Sequence, residues 1–130
     1  MAAIGSSNQN WLLNANLRSS TTGIPSAWGV GLSLGVPSSV SGSEITTGSG
    51  YTRVTASFAA ATSGSAINAT AMTYGPFSGA ASITGIQVWD TVQSLNSGNI
   101  LWFGTLTTAR TVGVGDSLVV AAGALTISLA

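Results

Sequence analysis

From Trp28 onward, apolar residues recur at every second position in short bursts, and each burst ends at glycine or a polar turn. Trp28, Val30, Leu32 and Leu34 alternate with Gly29, Gly31 and Ser33. Neighbouring side chains on an extended strand point to opposite faces. The pattern therefore predicts a strand with one apolar face and one nearly bare face. A bare face predicts a neighbour packed close to the backbone. The glycines at 29, 31 and 35 lie within this strand pattern rather than after it, so they do not read as a dinucleotide loop.

The same period returns along the chain. Val54, Ala56 and Phe58 alternate with Arg53, Thr55 and Ser57, and Ser63-Gly64-Ser65 predicts a turn. A weaker strand carrying Ala69, Ala71 and Thr73 stops at Gly75-Pro76. Ser82 to Trp89 alternates with Ile86 and Val88 on one face. Trp89 is then turned to the other face, beside the Asp90 to Asn99 hairpin loop. Ile100 to Leu106 is apolar on both faces and predicts a central strand. Leu118 and Val120 begin another strand after the Gly113 to Asp116 turn, and Leu125, Ile127 and Leu129 finish the chain. Residues 19–26 and the turn-rich residues 35–50 read as exposed loops. Residues 8–18 are the one helix candidate, with Trp11, Leu12, Ala15 and Leu17 on a face and Asn8 or Asn10 as cap.

These readings predict one all-β domain over residues 1–130. A helical segment occupies 1–18, and an antiparallel β-sandwich of jelly-roll type occupies 27–130. The expected core joins Leu101, Phe103, Leu118, Val120, Leu125 and Ile127 to Val30, Leu32, Val54, Phe58, Ile86 and Val88.

Charge narrows the function. Three arginines, two aspartates and one glutamate are the only charges, 5% of the chain, against roughly 25% in ordinary soluble domains. Without cysteine, histidine or lysine there is no zinc or iron–sulfur ligand set, thiol nucleophile, Ser-His-Asp triad, Schiff base or phosphate-loop lysine. No catalytic, metal or cofactor residue is expected, and the protein is not expected to be an enzyme. Zero net charge leaves no footprint for nucleic acid. No apolar run is long enough to form a membrane helix, and the first ten residues do not read as a secretory signal. Asp90 and Asp116 sit where Asp caps turns. The acceptor pattern Asn68-Ala69-Thr70 is a chance match.

Four tryptophans could build a sugar platform, but aromatics at alternating strand positions more often fill a core. Trp11, Leu12 and Leu17 in the helix, and Trp89 beside its loop, are the interface candidates. So little surface charge gives copies little reason to repel, which predicts a homo-oligomer, a trimer first among the orders.

Taken in order, the segments resemble a family of small bacteriophage structural proteins. After a Leu-rich helix and a Gly-rich strand comes Gly50-Tyr51-Thr52-Arg53-Val54, leading to Phe58. Gly64-Ser65-Ala66 and Asn68-Ala69 follow, then the dyad Trp89-Asp90 before Gly98-Asn99-Ile100-Leu101-Trp102. The ending runs through Thr111-Val112-Gly113-Val114-Gly115-Asp116-Ser117-Leu118 and Ala122-Gly123-Ala124-Leu125-Thr126-Ile127-Ser128-Leu129. The family is commonly labelled a tail-fibre protein, and such small β-domains also resemble capsid cement, or decoration, proteins. The resemblance implies a virion structural protein at the capsid surface that stabilises the assembled head by bridging subunits of the major capsid protein. The alternative is a tail-fibre or receptor-binding component. The N-terminal segment is expected either to cover one open end of the sandwich or to reach the capsid, and to be dispensable for the sandwich itself.

Overall fold

The computed structural model describes residues 3–18, 27–35, 37, 44–45, 50–92 and 98–128. In chain order these form β1 (Ala3–Ile4), α1 (Ser6–Arg18), β2 (Gly29–Ser33), β3 (Val54–Thr55), β4 (Ser65–Ile67) and β5 (Met72–Tyr74). Then follow β6 (Ala81–Trp89), β7 (Ile100–Val112), β8 (Leu118–Val120) and β9 (Thr126–Ser128). The expected all-β sandwich with one short helix is what the chain forms. One five-stranded sheet has the order β1-β7-β6-β2-β3, and β4 with β9 and β5 with β8 make two antiparallel ribbons.

Register decides which side chains meet. Val30 lies opposite Val88, and Leu32 opposite Ile86, which puts all four on one face of the sheet. Met72 and Tyr74 of β5, with Leu125 and Ile127 of the β9 ribbon, join them in a single core. The alternate pairs, Gly29 with Trp89 and Gly31 with Gln87, lie on the opposite face.

Several expectations shift. Met72 and Tyr74 are buried while Ala69, Ala71 and Thr73 are exposed, so the weak strand has the opposite phase to the one expected. A one-residue slip swaps the faces, and burying Met and Tyr removes far more apolar area than burying alanines. Phe103 is half-buried and lies opposite Gln87, whereas Trp102 lies opposite Val88 and packs on the core. A run that is apolar at every position carries no phase, so the pattern did not distinguish the two. The second strand is regular only at Val54–Thr55; beyond it Ala56 N–H donates to Trp28 O, and Phe58 forms an isolated bridge with Asn68. Residues 35–50 are not simply an exposed loop: Glu44 and Ile45 are buried, and Ser33 bridges to Glu44. Residues 19–26, expected as a loop, lie outside the described residues.

Helix α1 begins earlier than expected. Gln9 N–H donates to Gly5 O at 3.0 Å, so Asn8 and Asn10 stand inside the helix and neither caps it.

Asn68 is 1% exposed and joins two turns of the ribbons. Its amide nitrogen donates to Thr70 O and Ala121 O at 2.9 Å, and its side-chain oxygen accepts from Leu125 N at 2.9 Å. A buried amide with its bonds satisfied is no sugar acceptor, in keeping with a chance match.

The β6–β7 pairing is uneven. While β6 passes from Gly85 to Ile83, β7 passes from Thr105 to Arg110, which leaves Leu106 to Ala109 as a broad bulge. From Leu106 on, the outer edge of β7 pairs with no strand among the described residues.

Candidate functional site

Helix α1 follows β1 onto β7. Gly5 N–H donates to Leu101 O at 2.6 Å, and the buried Asn8 donates through Nδ2 to the same oxygen at 3.2 Å. At 3.6 residues per turn, Asn8, Trp11, Leu12 and Ala15 share the side that faces the sheet. Leu13 and Leu17 fall on the opposite side and are 57% and 79% exposed. The expectation that Leu17 shares a face with Trp11 and Leu12 therefore fails, because the helical angle from Leu12 to Leu17 is too wide. Leu12 reaches both sides: with Ile4, Leu13 and Leu17, and with Gln9 and Asn16, it also borders a shallow, mostly apolar groove along the outer flank.

Trp89, expected to point outward as an anchor, is 5% exposed. It does point away from Val88, but that face is covered. The Arg53 guanidinium lies 3.9 Å from its ring centroid, a cation–π contact shielded from water. Arg53 in turn donates from Nε to Glu44 Oε1 and from Nη2 to Oε2, both at 2.7 Å, and from Nη1 to Thr91 O at 2.9 Å. Neither side chain of the pair reaches solvent.

Tyr51 continues the network to the backbone. Its hydroxyl donates to Glu44 Oε1 at 3.0 Å and accepts from Leu32 N at 2.8 Å. Tyr74 stacks on Tyr51 with ring centroids 6.1 Å apart and donates to Val30 O at 2.9 Å. β3 reaches only as far as Val30 along β2, so phenols and the Glu44 segment satisfy the rest of that edge. Burial pushes both phenols well above their ordinary value, and the Glu44 charge pushes them the same way.

The glycines of β2 make this possible. A Cβ on Gly31 would stand 2.7 Å from Glu44 Oε1 and 2.9 Å from Tyr51 Oη. The close neighbour expected on the bare face is thus a buried ion pair. Sequence reasoning missed it. The available signal was an alternating Arg53 and a lone Glu44 in a chain with so few charges.

With that pair inside, the surface carries only Arg18, Arg110, Asp90 and Asp116. Both aspartates cap turns as expected. Asp90 accepts from Asn99 N and Nδ2, each at 2.8 Å, and Asp116 Oδ2 accepts from Gly113 N at 2.8 Å. Among the described residues no His, Cys, Asp and Glu cluster could hold a metal ion.

Three of the four tryptophans converge elsewhere. Trp11 from α1, Trp28 just before β2 and Trp102 from β7 surround a cleft of about 210 Å³, with Asn8, Leu12, Ala15 and Leu101 completing its wall. Trp11 and Trp102 are half-buried, and Trp28 is 37% exposed.

A search of curated proteins finds no match. The family model described as podophage GP4 fiber I protein gp80 matches residues 3–128, nearly the whole chain. That span includes the helix, the Glu44–Arg53 network and both ribbons. The chain belongs to this family of phage virion structural proteins.

Proposed function

We propose that this protein is a non-catalytic building subunit of a phage fibre, joined to its neighbours in the virion through the outer side of α1. The observation that carries this reading is the pair Leu13 and Leu17. A surface helix ordinarily shows apolar residues toward the core and polar residues outward. This one has apolar residues on both sides, and its outer leucines stand free. Burying two leucines is worth roughly 3–6 kcal/mol in apolar area alone, and many copies on one particle sum such contacts. Contacts of this kind depend little on salt, as suits a surface with four charges.

The family's description as a fiber protein speaks for a fibre. A second reading, a cement protein on the major capsid protein, draws on the same charge-poor surface, which suits bridging between closely packed subunits. In either place we propose that the chain assembles as a homo-oligomer, a trimer first, with neither nucleic acid nor membrane as partner.

Two measurements test this. Copy number per particle separates the placements: hundreds mean capsid, a handful to a few dozen mean tail. Leu13→Asp with Leu17→Asp should leave the fold intact and lower occupancy on particles lacking the protein; full occupancy by that variant would overturn the docking side. Deleting residues 1–18 is the poorer test, because it also strips Leu101 O of both its partners from this segment and uncovers β7.

A further inference from the structure

We propose that the cleft between Trp11, Trp28 and Trp102 is a binding site for one neutral pyranose ring of a glycan. The inference goes beyond the docking reading, since it uses the inner side of α1 and not the outer one.

The argument starts from hydrogen-bonding capacity. An indole offers an apolar face and a single N–H donor, which usually finds a partner when buried. None of the three indole N–H groups has a hydrogen bond among the described residues; those of Trp11 and Trp102 are not sealed from solvent, and Trp28 is itself exposed. Trp89 is the contrast: its N–H is also unpaired, but it is shut inside the protein and can serve no ligand. Asn8 adds an acceptor. Its nitrogen is fixed on Leu101 O, which sets the amide, and its oxygen has no bond among the described residues.

An aliphatic occupant would cover the indole faces but offer the N–H groups and the Asn8 oxygen no partner in place of water, at a desolvation cost for each one it covers. A pyranose presents C–H groups on its ring faces for the indoles, and hydroxyls around its edge for the N–H groups and the Asn8 oxygen. None of the described lining residues is charged, so a sialic or uronic acid would bring a carboxylate with no counter-charge. About 210 Å³ fits one ring and not an extended chain segment. A site of that size should bind with a Kd of roughly 1–10 mM, and repeated copies on a particle would raise the effective affinity.

The experiment uses the full chain labelled with fluorotryptophan, which gives one fluorine resonance for each of the four tryptophans. It is titrated with a panel of neutral methyl hexosides, deoxyhexosides and N-acetylhexosaminides. Sialic acid, cyclohexanol and a proline-rich peptide are the comparison ligands. The expected result is a saturable shift of the Trp11, Trp28 and Trp102 signals with at least one neutral sugar, while Trp89 stays still. Trp28→Ala should weaken that binding about tenfold or more. Trp28 is the most exposed of the three, so its truncation threatens the fold least, and the undisturbed Trp89 resonance reports that the fold survives. No saturable shift with any neutral sugar would overturn the proposal. So would a response to cyclohexanol, the peptide or sialic acid that is no weaker than to the best neutral sugar, or unchanged binding by Trp28→Ala.

Discussion

Arg53 and Glu44 meet through two parallel 2.7 Å hydrogen bonds at a point that water does not reach. Desolvating two charges is costly, and the pair offsets that cost only while both members are present. Glu44→Ala or Arg53→Ala should each destabilise the fold by about 3–5 kcal/mol. The double variant Glu44→Leu, Arg53→Met should recover much of the loss. A double-mutant cycle by urea unfolding reads the coupling; strictly additive losses would show that the pair does not act as a unit.

The two phenols make stability sensitive to alkali. An unfolded tyrosine ionises near pH 10, and both tyrosines of this chain are held above that value by burial and by Glu44. Their contribution is complete below about pH 10. Above it, the unfolded state releases protons that the folded state keeps, so stability falls as pH rises, by up to about 1.4 kcal/mol per pH unit for each group. Phenolate absorbance should emerge together with loss of the circular dichroism signal. Tyr51→Phe with Tyr74→Phe should flatten the slope above pH 10.

Asn68→Ala leaves Leu125 N–H and the carbonyls of Thr70 and Ala121 without their side-chain partner. The expected loss is about 2–4 kcal/mol, from at least one buried group left unpaired and others exposed to competition. Faster amide exchange at Leu125 would locate it.

Asp90→Ala and Asp116→Ala should act locally, at about 1 kcal/mol each. Hydrogen exchange should quicken at Asn99 in the first and at Gly113 in the second, while core amides keep their protection. A hydrolytic activity lost in either variant would overturn the non-catalytic reading.

Phe77 is 1% exposed, and its backbone is pinned to the turn before β8 by Phe77 N to Asp116 O at 2.8 Å and Gly115 N to Phe77 O at 2.6 Å. Phe77→Ala should cost about 3–5 kcal/mol, and Phe103→Ala distinctly less, since Phe103 is half-buried and outside the core. Paired thermal melts compare the two.

What could be read from the sequence followed from contrast between neighbouring positions. Val30-Gly31-Leu32 gives phase, register and the need for a close neighbour in three residues. Ser63-Gly64 gives its turn, with both residues at positive φ. Where contrast vanished, the phase was lost, as in Leu101-Trp102-Phe103 and in the small residues around Ala71. The Glu44–Arg53 network was not legible because its members come from segments whose meeting depends on the whole sheet. The tryptophan cleft was legible only as a set of residues: nothing local tells that Trp11, Trp28 and Trp102 converge while Trp89 does not.

The bulge at Leu106 to Ala109 has a consequence for solubility. A chain with four surface charges has almost no electrostatic defence against stacking sheet on sheet. An open strand border ordinarily templates the next molecule, hydrogen bond by hydrogen bond. Here one border of the sheet is occupied at β2 by the tyrosine hydroxyls and the Glu44 segment. The other is thrown out of step by the surplus residues of β7. Geometry thus takes over the task that charge performs in most small proteins, and copies of the chain brought close together can touch through side chains without their sheets running together into amyloid-like ribbons.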